Sequence, residues 1–184
     1  MGELSSKKIA ILVADGFEQI ELTSPRDALH AAGAVTEIVG LQDRPVQGMQ
    51  HDSEKGEQVE VDEVVDAVNA ADYDGLLLPG GVANPDNLRL HAGAMRFVRD
   101  FFTANKPVAA ICHAPWSLVE TGVVRGRTLT SWPSLQTDIR NAGGEWKDEA
   151  VVVDGNLVTS RRPDDLPDFN RAIVALYAGE PVAG

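Results

Sequence analysis

The stretch Pro107-Val108-Ala109-Ala110-Ile111-Cys112-His113-Ala114-Pro115-Trp116 decides the fold. Its first half is a short apolar run of the kind a strand carries when both its faces are covered. Its second half opens a helical stretch that runs to Thr121 and stops at Gly122. Proline just inside a helix start and glycine just past its end are the residues those positions favour. Between the two halves lies Cys112, the only cysteine in the chain, on a strand-to-helix turn.

The alternation continues outward in both directions. Lys8–Val13 reads as a buried strand. Phe17–Ala32 has apolar residues at helical spacing and stops at Gly33, with Pro25 expected to kink the helix or mark its true first turn. Val35–Leu41 is a second strand. Residues 42–62 are polar and irregular, with a short hairpin around Val46 and Val59, and Val61–Ala70 reads as a short helix. Gly75–Leu78 is a third strand, ended by Pro79-Gly80-Gly81, and Leu88–Ala104 reads as one long amphipathic helix. Beyond the central stretch come a strand at Thr128–Ser131, a helix at Ser134–Asn141, a hairpin turning at Asp154-Gly155 and a last helix at Asp164–Tyr177. No linker, repeat or low-complexity tract interrupts the series. Alternating strands and helices predict an α/β fold, a mostly parallel sheet with helices on both faces. The 184 residues suit one domain spanning the whole chain.

Composition narrows the function. The net charge of −12 repels phosphate backbones and anionic lipid, so neither nucleic acid nor membrane is an expected partner. No apolar run approaches the roughly 18 residues of a membrane helix. The polar opening, Met1 to Lys8, has no secretory pattern, and a single cysteine forms no intramolecular disulfide, so a cytoplasmic protein is expected. The histidines His30, His51 and His91 lack metal-ligand spacing and read as surface residues, and no nucleotide-binding glycine motif occurs. No metal or organic cofactor is indicated.

In such sheets ligands bind at the carboxyl ends of the strands. Three tips there carry suggestive residues: Asp15-Gly16-Phe17-Glu18, Pro79-Gly80-Gly81 and Cys112-His113-Ala114-Pro115. Cys112 is either a small buried hydrophobe or a nucleophile whose thiolate the following helix start favours. His113 is a general base or a hydrogen-bonded structural histidine. Neighbours in an extended stretch point apart, so it need not face the sulfur. Glu18 is a helix-start carboxylate or a neutral acid facing Cys112, while Glu21 reads as a capping or helix-face carboxylate. Gly80 and Gly81 form a tight turn, or Gly81 offers its N–H to an oxyanion together with the N–H of His113.

These residues resemble those of a known family. Asp15 to Leu22, Leu78-Pro79-Gly80-Gly81, Ala110 to Trp116, Thr130-Ser131-Trp132-Pro133-Ser134 and Asp154 to Arg161 are similar, in the same order, to motifs of the PfpI-like intracellular proteases of the DJ/PfpI superfamily. The resemblance runs from about Lys8 to Leu176. It implies a flavodoxin-like three-layer sandwich related to class I glutamine amidotransferase domains. It implies Cys112 as the nucleophile, Glu18 as the acid beside its sulfur and His113 as the base. It also implies Asp86, in Ala83-Asn84-Pro85-Asp86, as a carboxylate reaching His113 of a neighbouring subunit, and hence at least a homodimer. Two departures stand out: Ala114 occupies a position that is usually glycine, and Asp86 is one methylene shorter than the usual glutamate.

The implied function is a stress-response protein working as a cysteine-dependent hydrolase or as a glyoxalase or deglycase, on a small aldehyde or a peptide. The alternative is a non-enzymatic oxidative-stress sensor or chaperone whose Cys112 is oxidised to sulfenic and sulfinic acid.

Overall fold

A computed structural model describes residues 2–182. The strands are β1 (Lys8–Leu12), β2 (Phe17–Glu18), β3 (Val35–Gly40), β4 (Val46–Gln50), β5 (Glu54–Val59), β6 (Glu63–Val64), β7 (Gly75–Leu78), β8 (Val108–Ile111), β9 (Thr128–Leu129), β10 (Glu145–Trp146), β11 (Val151–Asp154) and β12 (Leu157–Ser160). The helices are α1 (Gln19–Ala31), α2 (Ala83–Arg89), α3 (Ala92–Thr103), α4 (Pro115–Thr121), α5 (Gln136–Asn141) and α6 (Leu166–Ala178).

The main sheet has the order β11-β12-β8-β7-β1-β3-β6 and is parallel except for β11. Its central strands are apolar without interruption because successive side chains feed two separate cores. Ala10, Leu12, Leu76, Leu78, Val108 and Ala110 enter one core with Phe97, Phe101 and Leu118 from α3 and α4. Ile9, Ile11, Leu77, Ala109 and Ile111 enter the other with Leu22, Leu29, Phe169 and Ile173 from α1 and α6. Three layers result: the helices on both faces expected from the alternation, in the flavodoxin-like sandwich that the family resemblance implies.

Several elements differ from expectation. Val61–Ala70 is not an α-helix. Glu63 and Val64 pair with Val39 and Gly40 at the sheet edge, and two 3-10 turns follow. The valines at 61, 64, 65 and 68 suit that extended path better than a helix. The long helix expected at Leu88–Ala104 is two helices. His91 breaks it, in extended conformation, and caps α3 by accepting the Ala94 N–H at 3.2 Å. Pro25 lies inside α1, and the first turn begins at Gln19. The hairpin at Val46 and Val59 is present, and those two residues are direct partners. Its strands join β2 in a small separate sheet, which lays the hairpin tip over the carboxyl ends of the central strands.

Candidate active site

Cys112 sits in the three-residue gap between β8 and α4. Its N–H continues the sheet ladder to Ser160 O at 3.0 Å, and its carbonyl accepts the Trp132 N–H at 2.8 Å. The Ala114 N–H turns back to Ile111 O at 3.0 Å. Held by these bonds, Cys112 adopts φ 63, a left-handed conformation that costs a non-glycine residue roughly 1–2 kcal/mol. That twist breaks the strand alternation. His113 Nδ1 therefore lies 3.2 Å from Cys112 Sγ.

Electrostatics set the resting state of this pair. Burial pushes the Cys112 thiol well above its ordinary value, and the Glu21 carboxyl adds to the rise, against the N–H groups of Gly81 and His113. Burial lowers the His113 pKa, with the Asp52 carboxylate opposing. A neutral imidazole thus faces a protonated thiol.

The carboxyl group against Cys112 belongs to Glu21, not Glu18. Glu21 is 0% exposed, and neither of its oxygens has a hydrogen-bond partner in the usual geometry. Burial raises its pKa to about 8; the Cys112 thiol and the Gly80 N–H pull it down, and Glu18 and Asp52 push it up. A charge left so poorly compensated would cost several kcal/mol, and holding the proton avoids that cost. Glu21 shares the inward stripe of α1 with Leu22, Pro25 and Leu29, so helical spacing drives it into the core.

Glu18 does something else. Its two carboxylate oxygens accept the N–H groups of His51 (3.0 Å) and Asp52 (3.2 Å), at the tip of the β4–β5 hairpin. Both tip residues have positive φ, 55° and 57°, in a turn that favours glycine or asparagine. Asp52 in turn accepts the Val82 N–H at 2.8 Å. The hairpin tip is thereby clamped at the mouth of the site.

Gly80 and Gly81 fit because they lack side chains. A methyl on Gly80 would lie 2.3 Å from Glu21 Oε2 and 2.6 Å from Cys112 Cβ. Gly81 has φ 85, and a methyl there would lie 2.4 Å from Gly16 O. Beside this turn, Glu18, Glu21, His51, Asp52, Cys112 and His113 line a cleft of about 450 Å3 with Trp132, Arg162, Pro163 and Asp164. A larger hollow, about 550 Å3, lies between the β11 edge and α6 and contains no nucleophile. Among the described residues no three His, Cys, Asp or Glu side chains gather as metal ligands, and no helix is long and apolar enough to cross a membrane.

The sequence profile of the DJ-1/PfpI family matches residues 7–176. The chain belongs to the DJ-1/PfpI family. It is 46% identical over 173 residues to the Escherichia coli "Protein/nucleic acid deglycase 2", covering 93% of this chain and 98% of that one. It is 44% identical over 166 residues to the Bacillus subtilis "Putative cysteine protease YraA", covering 90% and 95%. The crystal structure of Drosophila melanogaster DJ-1beta superposes with a TM-score of 0.85 at 31% identity, covering 95% of this chain and 92% of that one.

Of the residues singled out in this DJ-1/PfpI chain, Cys112, His113, Glu18, Gly80 and Gly81 converge on one cleft. Asp86 does not. It is exposed on α2, lines no part of the cleft, and its side chain makes no hydrogen bond or ion pair among the described residues. Glu21, whose place in the sequence suggests a capping or helix-face carboxylate, lines the cleft as well, with Asp52, Trp132 and Arg162, to which the residue pattern assigns no role. Glu21 carried a legible signal, a carboxylate on the apolar stripe of its helix. Asp52 carried none, because its position depends on how the hairpin folds back.

Proposed function

We propose that the chain is a stress-response enzyme that uses Cys112 on a small reactive carbonyl, as a glyoxalase or deglycase does, or on an acyl carbon, as a hydrolase does. The observation that carries this reading is the 3.2 Å approach of His113 Nδ1 to Cys112 Sγ, beside a proton-bearing Glu21. The relatives named as a deglycase and a cysteine protease support it.

With methylglyoxal, neutral His113 takes the thiol proton and the sulfur bonds to the aldehyde carbon. The carbonyl electron pair moves onto oxygen and is met by the N–H groups of Gly81 and His113. His113 returns the thiol proton to that oxygen, giving a neutral hemithioacetal. It then takes the proton of that carbon to form an enediol, with a proton received by the ketone oxygen. It delivers a proton to the neighbouring carbon as the first hydroxyl gives up its own, leaving a lactoyl thioester. Water cleaves the thioester and restores the thiol, so one methylglyoxal and one water give one lactate. Glu21 holds a hydrogen-bond donor towards the sulfur throughout. Asp52 supplies negative charge near His113 and favours the imidazolium that forms transiently.

Asp86, whose exposed side chain has no partner among the described residues, suits the homodimer reading, in which it approaches His113 of a second copy. Lactate formation from methylglyoxal, by wild type beside Cys112→Ser, tests the central reading.

The contact of Glu21 with the sulfur favours one second reading. A protonated carboxyl also donates to an oxidised sulfur, so peroxide would convert Cys112 to a sulfinic acid that Glu21 stabilises. Intact mass after graded peroxide tests it: gain of two oxygens at Cys112 in wild type, and less in Glu21→Leu, is the expected result.

A further inference from the structure

Arg161 and Arg162 are neighbours with opposite fates. Arg161 is fully engaged, with Nε and Nη2 on Asp165 and Nη1 on Asp148. The Arg162 side chain makes no hydrogen bond or ion pair among the described residues, and its Nε is buried without a partner. The backbone at Arg162 is extended (φ −164, ψ 170). Side chains alternate along such a segment. Arg161 points to the acidic surface, and Arg162 turns the other way, into the Cys112 cleft.

The sheet explains why it arrives there. β12 runs beside β8, with Ser160 opposite Ile111. Two residues past the end of β12, the chain is level with the elbow. The guanidinium lies over the Trp132 ring, 5.7 Å from its centroid, and Trp132 stacks with His113 at 5.8 Å. The Trp132 backbone N–H is bonded to Cys112 O, so the residue whose ring supports the guanidinium is tied to the nucleophile's own backbone.

The acidic groups of the cleft do not neutralise Arg162. Both oxygens of Glu18 and one of Asp52 accept backbone N–H groups, Glu21 holds a proton, and Asp164 is exposed. None forms an ion pair with it. A planar cation with a buried N–H to satisfy, on the wall of a nucleophile's cleft, matches a carboxylate.

We propose that Arg162 is a specificity-determining residue that binds a carboxylate attached next to the carbon Cys112 attacks, so that the cleft takes 2-oxo acids and related carboxylate-bearing electrophiles. This rests on the reading of Cys112 as a nucleophile. For an aldehyde such as glyoxylate the step is a simple addition. The S–C bond forms, the carbonyl pair moves to oxygen, and that oxygen receives the thiol proton through His113, with nothing leaving.

Two alkylating agents of nearly equal size test it. Iodoacetate carries a carboxylate beside the attacked carbon, and iodoacetamide carries a neutral amide. The rate of Cys112 alkylation by each is followed by intact mass, in wild type, Arg162→Gln and Arg162→Lys. Changes in thiolate fraction affect both reagents alike, so the iodoacetate-to-iodoacetamide ratio isolates the carboxylate contact. The expected result is a ratio at least ten-fold lower in Arg162→Gln, partly recovered in Arg162→Lys. An equal ratio in wild type and Arg162→Gln overturns the proposal. If iodoacetamide fails to label Cys112 in folded wild type, the nucleophile reading fails, and the proposal falls with it.

Discussion

Glu21 Oε2 and Gly80 stand so close that a single added methyl would lie 2.3 Å from the carboxyl oxygen. The carboxyl group is enclosed by the turn that follows β7 and by the cysteine elbow, and water does not reach it. Its proton is therefore a structural component of the site.

The proton gives stability a pH dependence of definite sign. The folded pKa is raised to about 8 from the ordinary 4.5, so the folded state binds the proton more tightly than the unfolded chain. The stabilisation is complete below about 4.5 and is lost as pH rises to about 8. Glu21→Gln, which carries no proton to lose, should gain on wild type across that window. Thermal melts at pH 5 and pH 8 check this: the Tm difference between variant and wild type should grow in the variant's favour at pH 8.

Gly80→Ala should be severe. The new methyl meets Glu21, Cys112 Cβ and Ile111 O, and the last is backbone that cannot step aside. Overpacking of this kind costs about 1–3 kcal/mol or more. Chemical denaturation measures that loss, and activity should fall further than stability because the methyl displaces the Cys112 side chain.

Cys112→Gly should be at least as stable as Cys112→Ala, the reverse of the usual order for these two residues. At φ 63 alanine retains the left-handed penalty and glycine does not. Parallel urea melts of the two variants decide it.

Removing the clamp on the hairpin should loosen the cleft without unfolding the sheet. Glu18→Ala leaves the N–H groups of His51 and Asp52 without their acceptor, at a cost of about 1–3 kcal/mol. Hydrogen exchange at residues 50–53 should accelerate at least ten-fold while the β1, β7 and β8 amides stay protected. Glu18→Gln keeps an acceptor oxygen and should be intermediate.

The difference between Glu18 and Glu21 shows where reading a sequence stops. Strands such as Lys8–Leu12 and Val108–Ile111, and the elbow that follows, announce themselves through continuous apolar runs and the proline and glycine at helix ends. Which carboxylate meets the sulfur depends on where α1 begins. It begins at Gln19, after a two-residue strand, and that shift turns Glu21 inward and gives Glu18 to the hairpin. The strand-to-helix turn points to Cys112 and His113, and the family resemblance implies their roles, but local pattern does not give their 3.2 Å contact, because the left-handed backbone at Cys112 overrides the alternation of an extended stretch. Asp52 and Arg162 reach the cleft only through long-range pairing of β2 with β4 and of β12 with β8.

The most direct measurement is steady-state conversion of methylglyoxal to lactate at pH 7.5 by wild type and by Cys112→Ser. The account predicts many turnovers per chain in wild type and a loss of at least a thousand-fold in the variant, with the fold intact by circular dichroism. Equal rates in the two proteins would contradict it, because lactate would then form without the sulfur on which the whole site converges.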